Sequence, residues 1–132
     1  MTRNLFLATI VVPDYDRAIE YYRDILGFTL AADTPLGGGK RWVVVKPDET
    51  NGAGLLLAKA KGDRQVQAIG NQTGGRVSFF LQTDDFDRDH ALYRSRGVEF
   101  MEEPRHEDYG TVAVFRDAFG NMWDLIEPAP SV

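Results

Sequence analysis

The sequence predicts an α+β protein built from two tandem βαβββ modules, and three observations carry that prediction. A short pattern returns at a fixed spacing: Asp14-Tyr15-Asp16-Arg17 recurs as Asp85-Phe86-Asp87-Arg88, 71 residues on, and Tyr22-Arg23 recurs as Tyr93-Arg94 at the same spacing. Gly27 then meets Gly97 after a one-residue slip, with Phe28 and Phe100 in the strands that follow. Each copy opens with a β-branched and aromatic run that leads into a helical pattern, and three further strand-like runs follow each helix. Self-similarity at a fixed period marks a duplicated supersecondary unit. A chain of 132 residues suits one domain, or two small modules, and buries enough surface to fold without a covalent staple.

In chain order, the first module covers about residues 4–58. Residues 5–12 (LFLATIVV) read as a buried strand. Asp14 is placed to cap a helix, since a carboxylate there accepts from unpaired N–H groups and meets the positive helix end. Tyr15, Ala18, Ile19, Tyr22, Ile25 and Leu26 follow at helical spacing and form one apolar stripe facing a sheet. Gly27 stands where a terminating glycine belongs. Residues 28–32, 41–46 and 54–58 are the next strands, with Gly37-Gly38-Gly39 as a turn. Residues 59–75 are polar and glycine-bearing and read as a mobile linker. The second module covers about 76–128. It has a strand at 77–83, the Asp85 cap, a helix with Phe86, His90 and Tyr93 on its inner face, and Gly97 at its end. Strands follow at 98–103, 111–116 and 122–127, with a turn at Ala118-Phe119-Gly120-Asn121.

Composition narrows the function. Fifteen basic against twenty acidic side chains give a net charge of −5, which argues against nucleic acid and against an anionic membrane as partner. Cysteine is absent, so a disulfide scaffold, a thiolate zinc site and a cysteine nucleophile are excluded. His90 and His106 are the only imidazoles. Residues 5–12 are too short to span a bilayer and lack a signal-peptide cleavage pattern, which predicts a cytoplasmic protein. Gly37-Gly38-Gly39-Lys40 fails as a phosphate loop, because Thr34 and Arg41 stand where that motif needs glycine and a hydroxyl residue.

Residues 12–28 (VPDYDRAIEYYRDILGF) and 115–128 (FRDAFGNMWDLIEP) resemble the opening strand–helix motif and the closing hairpin of the vicinal oxygen chelate superfamily. That family holds glyoxalase I, extradiol dioxygenases, methylmalonyl-CoA epimerase, fosfomycin-modifying enzymes and bleomycin-binding proteins. The resemblance implies curved mixed sheets around a cavity between the modules, and a homodimer. It also implies four ligand positions in metal-dependent members: Leu7 and Ser78 on the first strands, Asp124 on the last strand of copy two, and Leu55 or Leu56 in copy one. Leucine offers no donor and a neutral serine hydroxyl is a poor ligand, so no metal and no cofactor are expected.

Strand alternation then gives the cavity lining: Leu7, Thr9 and Val11; Ser78, Phe80 and Gln82; Met122, Asp124 and Ile126. This mix of apolar, hydroxyl, amide and carboxylate groups suits an organic ligand. Trp42 can stack on a ring, whereas Trp123 faces the helix side by parity. Asp124 is expected to have a raised pKa and to orient or deprotonate a ligand, or pair with a cationic one. His106 and Tyr109 are placed in a polar loop at the cavity mouth, His106 as acid/base partner of Asp124. His90, Tyr22 and Tyr93 read as core residues. Thr9, Trp42, Ser78, Phe80, Gln82, Tyr109 and Asp124 are thus the candidate binding residues, and Asp124 with His106 the candidate catalytic pair. The predicted function is metal-independent binding of a small organic molecule. The alternative is a lyase, isomerase or dioxygenase using Asp124 with His106 or a recruited metal.

Overall fold

The computed structural model describes residues 1–130. It divides after Ile69 into two compact units, each carrying one mixed sheet.

The first unit contains β1 (Leu7–Val12), α1 (Tyr15–Glu20), β2 (Thr29–Gly37), β3 (Lys40–Lys46), β4 (Gly54–Lys59) and α2 (Gly62–Ala68). Its strand order is β1-β4-β3-β2; β1 runs parallel to β4 and the other pairs are antiparallel. Alternation along β1 buries Ile10 and Val12 fully, while Thr9 stays exposed. The helix-covered face buries Ile10, Val12, Val43, Val45 and Leu57 against Ala18, Ile19 and Tyr22 of the helix. Each such aliphatic side chain contributes roughly 1.5–3 kcal/mol of burial. Asp14 caps α1, its Oδ2 accepting from Arg17 N at 2.8 Å. Arg41 ties the β2–β3 hairpin to this helix start. Its guanidinium donates to Asp33 at 2.8 Å and Asp16 at 2.9 Å and lies 5.1 Å over the Tyr15 ring.

The second unit contains β5 (Phe79–Gln82), α3 (Phe86–Ser95), β6 (Glu99–Phe100), β7 (Arg105–Glu107), β8 (Gly110–Arg116) and β9 (Met122–Pro128). Its order is β5-β9-β8-β6, with β7 also paired to β8, and β5 runs parallel to β9. Trp123 stacks on Phe115 with centroids 5.8 Å apart, and Tyr93 meets Phe115 edge-on. His90 packs between Phe86 and Phe100, centroids 5.2 and 4.4 Å away, and burial pushes its pKa down. Asp85 Oδ1 caps α3 by accepting from Arg88 N at 3.1 Å, and Glu127 Oε1 accepts from Phe86 N at 2.7 Å. The β8–β9 turn is organised by buried Asp117, whose carboxylate accepts from the backbone N–H groups of Phe119 and Asn121, from Asn121 Nδ2 and from Trp123 Nε1.

The one-residue slip in the repeat has a structural cause. Helix α1 runs straight into a π-helical turn, Tyr21–Ile25, which α3 lacks. The exit bond of the first copy joins Phe28 N to Tyr22 O at 2.8 Å; that of the second joins Val98 N to Tyr93 O at 3.0 Å. Tyr22 and Tyr93 are equivalent, so the first copy carries one more residue before its strand. A π-turn is the usual way for a helix to absorb one extra residue.

Several expected boundaries move. The 5–12 run pairs only from Leu7, leaving Leu5 and Phe6 exposed, and the 77–83 run shortens to Phe79–Gln82, its flanks held by Ser78 N to Met122 O and Thr83 N to Ile126 O. β2 continues to Gly37 because bulges after Leu30 and Pro35 keep it paired with β3. The expected strand at 98–103 pairs only at Glu99–Phe100. The linker is not featureless: residues 62–68 form α2. His106 is not in a loop but in the middle of β7, paired with Thr111.

Candidate ligand-binding site

Register fixes which residues share a face. In the first unit Thr9 pairs with Leu56 and Leu56 with Val44, so Leu7, Thr9 and Val11 share the open face with Leu56, Val44 and Trp42. The choice between Leu55 and Leu56 is thereby settled: Leu55 is buried on the helix side. In the second unit Phe80 pairs with Asp124 and Asp124 with Val114. Leu56 and Asp124 are equivalent through the repeat, as are Lys46 and Arg116, and Trp42 and Val112.

The second unit's open face therefore gathers Ser78, Phe80, Gln82, Met122, Asp124 and Ile126 as the alternation predicts. Phe80 is 69% exposed, an unusual position for a phenyl ring. Ser78 Oγ lies 3.2 Å from Thr73 Oγ1. Asp124 is half-buried, and its Oδ1 is buried with no hydrogen-bond partner. Burial pushes the Asp124 pKa up; nearby Arg105 pulls it down and Glu102 pushes it up again. Buried carboxylate oxygens are normally satisfied, so an orphan facing the open side of a sheet needs a reason.

Arg105 and Glu102 are the residues that sequence reasoning missed. Pairing of Arg105 with Val112 puts Arg105 on Asp124's side of the sheet. Its guanidinium donates to Glu102 Oε1 at 2.9 Å, to Glu107 Oε1 at 3.2 Å and to the Tyr109 hydroxyl at 3.5 Å. Glu102 Oε2 also accepts from Val114 N at 2.9 Å, which anchors the pair over β8. The only signal for this was a charge-rich run, which does not reveal a long-range partner. Tyr109 sits exposed in the β7–β8 turn, joined to this network through Arg105. His106 is not brought to Asp124: the register turns it to the other face, where Nδ1 lies 3.4 Å from Thr111 Oγ1.

The first unit's open face holds a pocket of about 470 Å³, lined among others by Phe6, Leu7, Trp42, Val44, Lys46 and Asn51. Trp42 is 40% exposed there, whereas Trp123 is buried on the helix side as parity predicts. Thr9 is exposed on the same face.

A pair of sheets of this topology, each with an open face, defines the fold class, and comparison with known proteins supplies the family. The chain belongs to the Glyoxalase/Bleomycin resistance protein/Dioxygenase superfamily, whose family profile matches residues 5–125. It is 48% identical over 128 residues to an uncharacterized protein of Shewanella frigidimarina, covering 96% of this chain and 95% of that one. Among solved structures it resembles UcmS2, with a TM-score of 0.81 at 29% identity, over 96% of this chain and 98% of that one. It also resembles TnmS3, an antibiotic-binding protein from Streptomyces sp. CB03234, with a TM-score of 0.78 at 30% identity, over 97% and 98% of the two chains.

The metal centre of the family's metalloenzymes does not fit these residues. The positions that the family resemblance implies for metal ligands hold Leu7, Leu56, Ser78 and Asp124, of which only Asp124 offers a strong oxygen donor. Among the described residues no three His, Asp or Glu side chains cluster in a way that could hold an ion.

Proposed function

We propose that the protein binds a small organic molecule on its open sheet faces without a metal, and that it acts as a cytoplasmic homodimer. The observation that carries this reading is the orphaned Asp124 Oδ1, set beside the exposed Phe80 ring. A ligand that donates an N–H or O–H to Asp124 while resting apolar surface on Phe80 satisfies the oxygen and covers the ring. Ser78, Gln82 and Tyr109 supply further polar contacts, and Thr9 and Trp42 serve on the first unit. The likeness to TnmS3 supports sequestration over turnover. Among the described residues no helix is long and apolar enough to cross a membrane.

The test is a thermal-shift and calorimetric screen of donor-bearing organic compounds, antibiotics included, against the protein and its Asp124→Asn variant. Expected are hits in the absence of metal and a loss of about tenfold or more in affinity for the variant, the scale of a hydrogen bond to a charged group. Equal affinity of the two proteins for every hit would overturn the role of Asp124, and binding that requires an added divalent ion would overturn the metal-free reading.

A further inference from the structure

We propose that the pocket on the first unit's open face takes a planar aromatic molecule carrying an anionic oxygen, with the ring on Trp42 and the oxygen at Lys46. The inference rests on the reading that the open faces bind small molecules, and adds the ligand class for this face. Three features of the pocket carry it.

The first is shape and surface. A volume of about 470 Å³ lies within the range of small-molecule pockets. Its walls present two exposed rings, Phe6 at 66% and Trp42 at 40%, beside apolar Leu7 and Val44. Large rings left in water beside one pocket offer stacking area at little entropic cost, because each has only two rotatable bonds.

The second is charge. Lys46 is the one charged side chain lining the pocket, and it makes no salt bridge among the described residues. The acidic residue nearest to it in sequence, Asp48, lies within electrostatic reach of Lys46 but makes no salt bridge to it: its Oδ1 accepts from Thr50 N at 2.9 Å and from Thr50 Oγ1 at 2.8 Å. The second unit differs at the equivalent of Leu56, which is the carboxylate Asp124, while Arg116 stands at the equivalent of Lys46.

The third is the seat of the lysine. A Cβ on Gly54 would lie 3.0 Å from Lys46 Cγ and 3.2 Å from Val44 Cγ1. A side chain at position 54 would crowd the lysine stem where it lies across β4 beside Val44. The equivalent position of the second unit holds Met122, opposite Arg116. The missing side chain on β4 therefore places the lysine stem against the pocket floor.

The experiment uses the full chain, isotope-labelled, and follows its two indole N–H signals by NMR. Trp42→Ala assigns them, and the buried Trp123, hydrogen-bonded to Asp117, reports that each variant remains folded. The probes are naphthoate and the isosteric naphthylmethylammonium. Naphthoate is expected to move the Trp42 signal and leave the Trp123 signal in place. It is expected to bind about fivefold tighter than the cation, the scale of one partly exposed ion pair. Lys46→Gln should erase that preference while the Trp42 signal still responds, and Gly54→Ala, which displaces the lysine stem, should weaken it. The proposal is overturned if neither probe moves the Trp42 signal, if the cation binds as tightly as naphthoate, or if Lys46→Gln keeps the preference. Any of these results, with Asp124-dependent binding intact, removes the aromatic-anion assignment and leaves the function proposed above standing.

Discussion

Asp124 has one oxygen sealed off without a donor, and the same burial that strands it raises its pKa. The folded protein therefore holds the Asp124 proton more tightly than the unfolded chain does. Stability from this group falls as pH rises through the ordinary carboxylate range towards the raised value, and the penalty is complete above it. Asp33, Asp48 and Asp89 have lowered values and act with the opposite sign, losing stability as pH falls. The difference between wild type and Asp124→Asn isolates the one group. We expect the variant to be more stable at neutral pH by about 1 kcal/mol, the scale of relieving a buried unsatisfied charge. The two proteins should converge at acid pH in urea unfolding; parallel curves would show that Asp124 carries no such strain. The position of Asp124 was legible in the sequence, because strand alternation plus the repeat fixed its face. Arg105 and Glu102 were not, since their approach depends on which residue of β8 each one meets, and nothing local encodes that.

Elements with strong local chemistry were readable from their own residues. The Asp14 and Asp85 caps, the apolar stripe of α1 and the parity of Trp123 all follow from short-range rules and all appear in the fold. Short or charged elements were not readable. β7 is three residues of mixed charge that become a strand only through β8, and α2 lies in a glycine-bearing polar run. The π-turn shows how a sequence irregularity becomes geometry. Removing one exposed residue from it should return the helix to plain α form and give the first copy the spacing of the second. Deletion of Asp24 is the test, since it sacrifices only the exposed Arg23–Asp24 ion pair, which contributes little. The buried Tyr22 should keep its stack on Phe28, now 5.9 Å between centroids. We expect a cost within about 1 kcal/mol by thermal unfolding; a loss above about 3 kcal/mol would mean that the turn is needed for packing.

At the scale of the whole chain, duplication explains the architecture and divergence explains the sites. The two sheets share topology and register, yet their open faces carry different chemistry: Trp42, Lys46 and Leu56 on one, Val112, Arg116 and Asp124 on the other. The duplication was legible because caps and helix ends repeat at one spacing; the pocket was not, because Phe6, Lys46 and Asn51 converge from separate segments. Phe6, Trp42 and Phe80 leave ring surface exposed on these faces, which the proposed ligands cover, and the proposed homodimer is a separate expectation. Light scattering at micromolar concentration should give twice the chain mass, and a monomeric mass would contradict the homodimer. The π-turn sets a rule for anyone recombining the two halves. A chimera joined ahead of Tyr22 and Tyr93 keeps both reading frames in step, while one joined at Gly27 and Gly97 must carry the surplus residue with its parent helix. A junction made beyond the π-turn while keeping the 71-residue spacing would leave the graft one residue out of phase, turning every following side chain to the wrong side of its strand.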